Sequence, residues 1–203
     1  MSEVIFYEGD LSRHAPEMYL PLLSTFERER SDFYLFSEER NRFVVRRGIV
    51  RTLLGIYLGK NPTEIRIWLG PWGKPEAEGV HFNTSYSGNK MVVALSKNGP
   101  LGVDLEERGG TNWSEEAESL LYSCQEKIYA ANLLSEERKD YFLSIWTKKE
   151  AWLKGIGCGL IADPRAFDTE AKASNWRFTS LAVEGTHIAF LATTEEVSLC
   201  KPL

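Results

Sequence analysis

Cysteine is scarce in this chain: Cys124, Cys158 and Cys200 are three among 203 residues, odd in number, far apart and outside any CxxC spacing. That excludes a disulfide framework and a cysteine-built zinc site, and it points to a reducing, cytoplasmic setting. Long apolar runs are missing too, since no stretch approaches the roughly 18 residues of a membrane span. The opening "MSEVIFYEGDLSRHAPEMYL" lacks the cationic segment and apolar core of a secretory leader. Neither secretion nor membrane insertion is expected. Basic charge does not dominate: 24 Lys and Arg face 29 Asp and Glu, for a formal net charge of −5. An overall nucleic-acid binder is therefore not expected, although a local cationic site remains open. Histidine offers little, because His81 and His187 lie in apolar strand patterns and His14 has no chemical context. What is present is 43% hydrophobic and 26% charged residues, the composition of a globular chain long enough to bury a core unaided.

Periodicity organises the rest. "VIFYEG" reads as a short strand. Residues 37 to 59 read as a strong helix, because Phe43, Val44, Gly48, Val50, Leu53, Leu54, Tyr57 and Leu58 recur at mixed three and four spacing before Gly59 and Pro62 end the pattern. "EIRIWLG" alternates as a strand, "PWGKPEAEG" is dense in turn formers, and "VHFNTSYSG" leads into "MVVALSKNG" and "LGVDLEE". From 112 the pattern is helical again: "WSEEAESLLYS" carries acids in its first turn. "EERKDYFLSIWTKKEAWLKGIG" puts Phe142, Ile145, Trp146, Lys149, Trp152, Leu153 and Ile156 near one face, with Gly155 and Gly157 as stops. "WRFTSLAVEG" and "HIAFLATT" supply further strands. No sequence repeat is visible, but both halves run strand, helix, strands. The class is α/β (α+β), read as two similar halves, 1–100 and 101–203, meeting near residue 100.

Four groups of residues could carry chemistry. In "LGVDLEE" the strand period puts Asp104 and Glu106 on one face and Glu107 on the other. Such a carboxylate pair suits a divalent cation such as Mg²⁺, and it equally suits a strand end running out into water. In "WTKKEAWLK", Glu150 and Lys154 are four apart on one helix face, the spacing of a surface ion pair. Thr147 and Glu150 also match a capping box, although the apolar pattern runs through Thr147. The flanking Trp146 and Trp152 favour a pocket over a solvated face. Arg40, Arg42, Arg46, Arg47 and Arg51 form cationic rows along the first long helix, with Lys74 in the "GKP" turn; these suit phosphates or plain solvent. Finally, "FNTSYSG", residues 82–88, reads as a polar turn offering Asn83, Ser85, Tyr86 and Ser87, residues that hairpin loops also use for conformation alone.

Together, "GVDLEE" and, 42 residues on, "WTKKEAWLK", preceded in order by "GKP" and "FNTSYSG", closely resemble the paired signature of the 4′-phosphopantetheinyl transferases. The chain's length is similar to that of the monomeric, surfactin-type branch. The resemblance implies a fold of two subdomains related by a pseudo-twofold, each a small sheet packed with a long helix, with coenzyme A and Mg²⁺ between them. It implies transfer of phosphopantetheine from coenzyme A to a serine of an apo acyl carrier or peptidyl carrier protein, releasing adenosine 3′,5′-bisphosphate. By motif position Asp104, Glu106 and Glu150 would be Mg²⁺ ligands. Glu150 would also take the serine proton, and Lys154 would stabilise the departing phosphate. Lys74, Ser85, Tyr86, Arg42 and Arg47 would help to bind coenzyme A. One departure stands out: the family's serine motif usually reads Ser-His-Ser, and this chain has Tyr86 in the middle. A phenol brings no positive charge, so weaker discrimination for the 3′-phosphate of coenzyme A is expected unless Arg46 or another base compensates. The alternative function is a non-catalytic coenzyme A or nucleotide-binding module.

Overall fold

The computed structural model describes residues 2–110, 113–159, 162–171 and 174–200. Its strands are β1 Ser2–Asp10, β2 Ile67–Leu69, β3 Pro75–Ala77, β4 His81–Ser87, β5 Lys90–Ser96, β6 Leu101–Glu107, β7 Arg177–Leu181, β8 His187–Thr193 and β9 Val197–Cys200. The helices are α1 Pro16–Tyr19, α2 Thr25–Asp32, α3 Ser37–Leu58, α4 Glu115–Leu121, α5 Cys124–Ala130 and α6 Ser135–Ile156. The fold is mixed α/β, as the sequence leads one to expect.

Alternation along the strands builds four layers. A first sheet, in the order β4-β5-β1-β9, is antiparallel except where β9 lies parallel to β1. On β5, Met91, Val93 and Leu95 point to one face and pack with Val45, Ile49, Val50, Leu53 and Leu54 of α3. Val92 and Ala94 point to the other face and join Val4 and Phe6 of β1 against Leu101, Val103 and Leu105 of β6 and Leu191 of β8. A strand buried on both faces has no room for a polar position, which is why "MVVAL" is an unbroken apolar run. The second sheet, β6-β8-β7, is antiparallel, and α6 covers its far face. The layers thus run α3, first sheet, second sheet, α6. The third core joins α4, α5 and α6 through Leu121, Tyr122, Ala130, Phe142 and Ile145.

The long helices begin and end for local reasons. α3 carries Glu38 and Glu39 in its first turn, where carboxylates meet the positive end of the helix dipole. Gly59 stops it in the left-handed conformation at φ 65°. α6 ends in the same way on Gly157, at φ 73°. Gly155, expected as a second stop, lies inside α6 instead. It serves close packing: a Cβ on Gly102 of β6 would stand 2.0 Å from the Ala151 carbonyl oxygen and 2.3 Å from the Gly155 nitrogen. Only glycines let this strand and helix approach so closely.

Other expectations need correction. Thr147 caps nothing, since α6 starts twelve residues earlier at Ser135 and the Thr147 hydroxyl donates to the Leu143 carbonyl at 2.7 Å. "FNTSYSG" is the body of β4 rather than a turn, because residues 82–87 pair in register with β5. Within the turn-rich "PWGKPEAEG", Pro75–Ala77 forms β3, which pairs with the three-residue β2. The short α5 and the parallel β9 were not signalled by periodicity, each being too short to show a repeat.

Candidate active site

β4 and β6 are edge strands of different sheets, and the site lies along the seam where these edges meet. Side chains bridge the seam. Asn83 Oδ1 accepts from the Val103 amide at 2.9 Å, and the Ser85 hydroxyl donates to Asp104 Oδ1 at 2.8 Å. β4's alternation turns Asn83 and Ser85 toward β6, while Thr84 and Tyr86 line the cleft on the α3 side. β6's alternation divides its side chains in the same way. Val103 and Leu105 enter the core, whereas Asp104 and Glu106 face α6.

α6 supplies the rest. Lys154 Nζ reaches Asp104 Oδ1 at 2.5 Å and the Ser85 hydroxyl at 3.0 Å. The surface ion pair between Glu150 and Lys154 that the spacing allowed does not form, because the ammonium turns to Asp104. Trp146 donates its indole N–H to Glu106 Oε1 at 2.8 Å. Trp152 stacks on Phe167 at 4.2 Å between ring centroids, holding the outer face of α6. Lys74 enters from the β2–β3 hairpin and donates to the carbonyls of Leu101 and Gly155, each at 3.1 Å.

The electrostatics follow from this crowding. Glu150 is held above the ordinary carboxylate pKa, first by burial and then by Asp104 and Glu106, with Lys154 opposing the shift. Glu106 is raised by burial and by Asp104, against hydrogen bonding from Trp146. Asp104 is 2% exposed, and its Oδ2 has no hydrogen-bond partner. A buried carboxylate oxygen without a partner is costly, so it marks a place for a cation or donor. Burial brings Lys74 down to about 8. Asp104, Glu106 and Glu150 are the carboxylates of the site, and among the described residues no group of three or more His, Cys, Asp or Glu is arranged to hold a metal ion by itself.

Three neighbouring clefts open here. The central one, about 270 Å³, is lined by Lys74, Asn83, Thr84, Glu150 and Lys154. It shares Gly73, Pro75 and Thr84 with a cleft of about 640 Å³ beside α3, where Arg30, Arg46, Arg47 and Tyr86 stand. It shares Trp72, Lys74, Pro75 and Gly157 with a cleft of about 550 Å³ walled by Trp68, Phe82 and Ile156. Clefts on either side of a centre with two lysines suit a long, polyanionic ligand.

Of the residues singled out from sequence, Lys74, Ser85, Asp104, Glu106, Glu150 and Lys154 come together. The arginines separate. Arg42 pairs with Glu38 at 2.7 Å and Glu39 at 3.1 Å on its own helix. Arg47 borders the α3 cleft and pairs with the buried Glu27. Arg51 is 2% exposed and is held by Glu27, Pro62 O and Ile65 O, so it is a structural residue. Tyr86 carries the guanidinium of Arg46 over its ring at 3.7 Å. Sequence reasoning missed Gly102, Trp146 as the donor to Glu106, and Arg30. The only signal for Gly102 was the pair of glycines it forms with Gly155, 53 residues apart, which no local pattern exposes.

Comparison with known proteins points one way. A family model described as the 4′-phosphopantetheinyl transferase superfamily matches residues 100–198. The chain is 33% identical over 144 residues to the 4′-phosphopantetheinyl transferase HetI of Nostoc sp. (strain PCC 7120), covering 68% of this chain and 61% of that protein. It is 33% identical over 147 residues to the putative 4′-phosphopantetheinyl transferase slr0495 of Synechocystis sp., covering 70% and 60%. It is 26% identical over 159 residues to the 4′-phosphopantetheinyl transferase Sfp of Bacillus subtilis (strain 168), covering 77% and 70%. The chain thus spans about 60% of the length of the first two relatives.

Proposed function

We propose that the chain is a member of the 4′-phosphopantetheinyl transferase superfamily, in its surfactin-type branch, and that it moves the phosphopantetheine of coenzyme A onto a serine of an apo acyl or peptidyl carrier protein. The observation that carries this reading is the meeting of Glu150, Asp104, Ser85 and Lys154 beside a central cleft that has a further cleft on each side of it.

In the proposed reaction the carrier's serine oxygen forms a bond to the phosphorus that carries the pantetheine arm. The bond from that phosphorus to the bridging oxygen breaks, and adenosine 3′,5′-bisphosphate leaves. Glu150 takes the serine proton, directly or through water. Its raised proton affinity brings it closer to the pH at which a carboxylate is an effective base. Lys154 stands four residues further along the same helix and meets the charge that develops on the leaving phosphate. Lys74 and Ser85 contact the phosphates from the opposite wall.

The residues fit Mg²⁺. Asp104 offers a buried oxygen without a partner, and Glu106 and Glu150 add carboxylates whose mutual repulsion a cation would relieve. An open donor set rather than a closed cage suits this ion, which retains waters and shares substrate phosphates. Bound there, it would neutralise the pyrophosphate. A binding module has no need of a base in the groove, which counts against the non-catalytic alternative.

The proposal includes a two-half organisation, 1–100 and 101–203, a monomeric state and a cytoplasmic location. Three free cysteines are consistent with a reducing compartment, and no helix among the described residues is long and apolar enough to cross a membrane. The test is intact-mass measurement of a panel of apo carriers incubated with the protein, coenzyme A and Mg²⁺. A gain of one phosphopantetheine on at least one carrier, lost in Glu150→Ala and Lys154→Ala, supports the reading. No gain on any carrier overturns it.

A further inference from the structure

Arg46 differs from the other arginines of α3. Arg42 pairs with Glu38 and Glu39, and Arg47 and Arg51 share Glu27. Arg46 forms no ion pair among the described residues. Its guanidinium lies over the Tyr86 ring, 3.7 Å from the centroid, at the wall of the 640 Å³ cleft. Stacking on an aromatic face restrains the planar group without engaging its N–H donors, which therefore remain available in one orientation. Arg30, across the same cleft, likewise forms no ion pair among the described residues and lies over the ring of Phe43, at 5.7 Å. The cleft lining carries three arginines against one glutamate, and that glutamate is already neutralised by Arg47 and Arg51. Restrained, unpaired guanidinium donors in an electropositive recess make a receptor for phosphate.

The alternation of β4 sets where that receptor acts. Ser85 faces Asp104 and the reacting centre, whereas Tyr86 faces the α3 cleft, so the two neighbours serve different parts of one ligand. Gly73, Pro75 and Thr84 line both clefts, so the two are neighbours. A ligand with its pyrophosphate beside Lys74 and Lys154 can therefore place a second, separate phosphate beside Arg46.

We infer that Arg46, held over Tyr86 and assisted by Arg30, is the specificity determinant for a phosphate on the nucleoside end of the substrate. It supplies the positive charge that the phenol of Tyr86 lacks. The identity of the ligand rests on the transferase reading, under which this group is the 3′-phosphate of coenzyme A. The weaker discrimination expected from Tyr86 alone is replaced by the opposite expectation: the chain discriminates strongly, and it does so through Arg46.

Direct binding tests this without any transfer. Calorimetric dissociation constants are compared for adenosine 3′,5′-bisphosphate and adenosine 5′-phosphate, in the wild type and in Arg46→Gln, Tyr86→Phe and Tyr86→Ala. The wild type prefers the bisphosphate, and Arg46→Gln reduces that preference about 10- to 100-fold, the worth of one charged hydrogen-bonded contact. Tyr86→Phe keeps the ring and retains the preference, while Tyr86→Ala releases the guanidinium and loses much of it. Equal weakening of both ligands by Arg46→Gln, or an unchanged ratio, overturns the inference. The mass-shift assay on the same wild-type protein reports on the transferase reading separately. Transfer with an unchanged Arg46→Gln ratio removes only the inference, and a lost ratio without transfer removes only the reaction.

Discussion

Gly102→Ala should separate β6 from α6 and open the site by steric force alone. The substitution adds one methyl group. Gly102 is not among the glycines with positive φ, so its backbone accepts alanine and no conformational strain confuses the result. The new Cβ would meet the Ala151 carbonyl oxygen at 2.0 Å, the Gly155 nitrogen at 2.3 Å and the Gly155 Cα at 2.8 Å, where ordinary contact begins near 3.4 Å. All three are backbone atoms, so no side chain can swing away. Strand and helix must part by about 1 Å or more, and overpacking of this kind costs about 1–3 kcal/mol. With no flexible partner the upper end is expected, equivalent to a urea midpoint lowered by about 1–2 M. Asp104 lies two residues from Gly102 and Lys154 is next to Gly155, so the same shift pulls apart their 2.5 Å contact. A misplacement of about 1 Å in a catalytic array costs about 100-fold in rate. Urea unfolding and the carrier mass-shift rate measure the two effects. Gly99→Ala is the control, because its Cβ would meet only the Thr194 hydroxyl at an ordinary 3.5 Å. Wild-type stability and rate in Gly102→Ala would refute the claim that glycine contact sets the geometry of the site.

Two further outcomes are expected. Lys149 and Glu126, each with 1% side-chain exposure, form a buried pair at 2.6 Å. Lys149 Nζ also donates to the Leu121 and Pro164 carbonyls, and Glu126 accepts from Ser123 and Thr169. Lys149→Met leaves an uncompensated buried carboxylate and should cost about 3–5 kcal/mol. The double variant with Glu126→Leu should lose less than the two single losses together; strictly additive losses in urea unfolding would contradict the coupling. For Lys74, burial lowers the pKa from 10.5 to about 8. The folded chain therefore releases this proton before the unfolded chain does, so stability gains from this group as pH rises from about 8 toward 10.5. Anion binding runs the other way: coenzyme A affinity measured by calorimetry should fall as pH passes about 8 in the wild type, and Lys74→Met should remove that fall. A flat wild-type profile would exclude Lys74 from the phosphate site.

The order of elements was legible because it rests on local physics. The apolar period of residues 37–58 with Gly59 after it specifies α3, and the alternation of "LGVDLEE" separates Asp104 and Glu106 from the core-facing Val103 and Leu105. Those patterns depend only on 3.6- and 2-residue repeats and on a glycine's access to left-handed φ. "FNTSYSG" misled because its small polar residues suit turns as well as strands; ladder pairing with β5 decides between the two, and pairing is not a local property.

Which charge meets which was decided only by tertiary structure. Spacing along α6 offered Lys154 to Glu150, but packing against β6 gave it to Asp104, because Gly102 and Gly155 bring strand and helix close enough for that contact to prevail. Along α3, five similar arginines had equal claims to phosphate until Glu27, Asp32, Glu38, Glu39 and the Tyr86 ring came to lie where they do. Sequence sets the face on which a side chain emerges, since backbone geometry fixes that within a turn or two of chain. Its partner depends on distant segments, 81 residues away for Lys74 and Gly155 and 176 for Glu8 and Glu184, and only the packed layers bring those together.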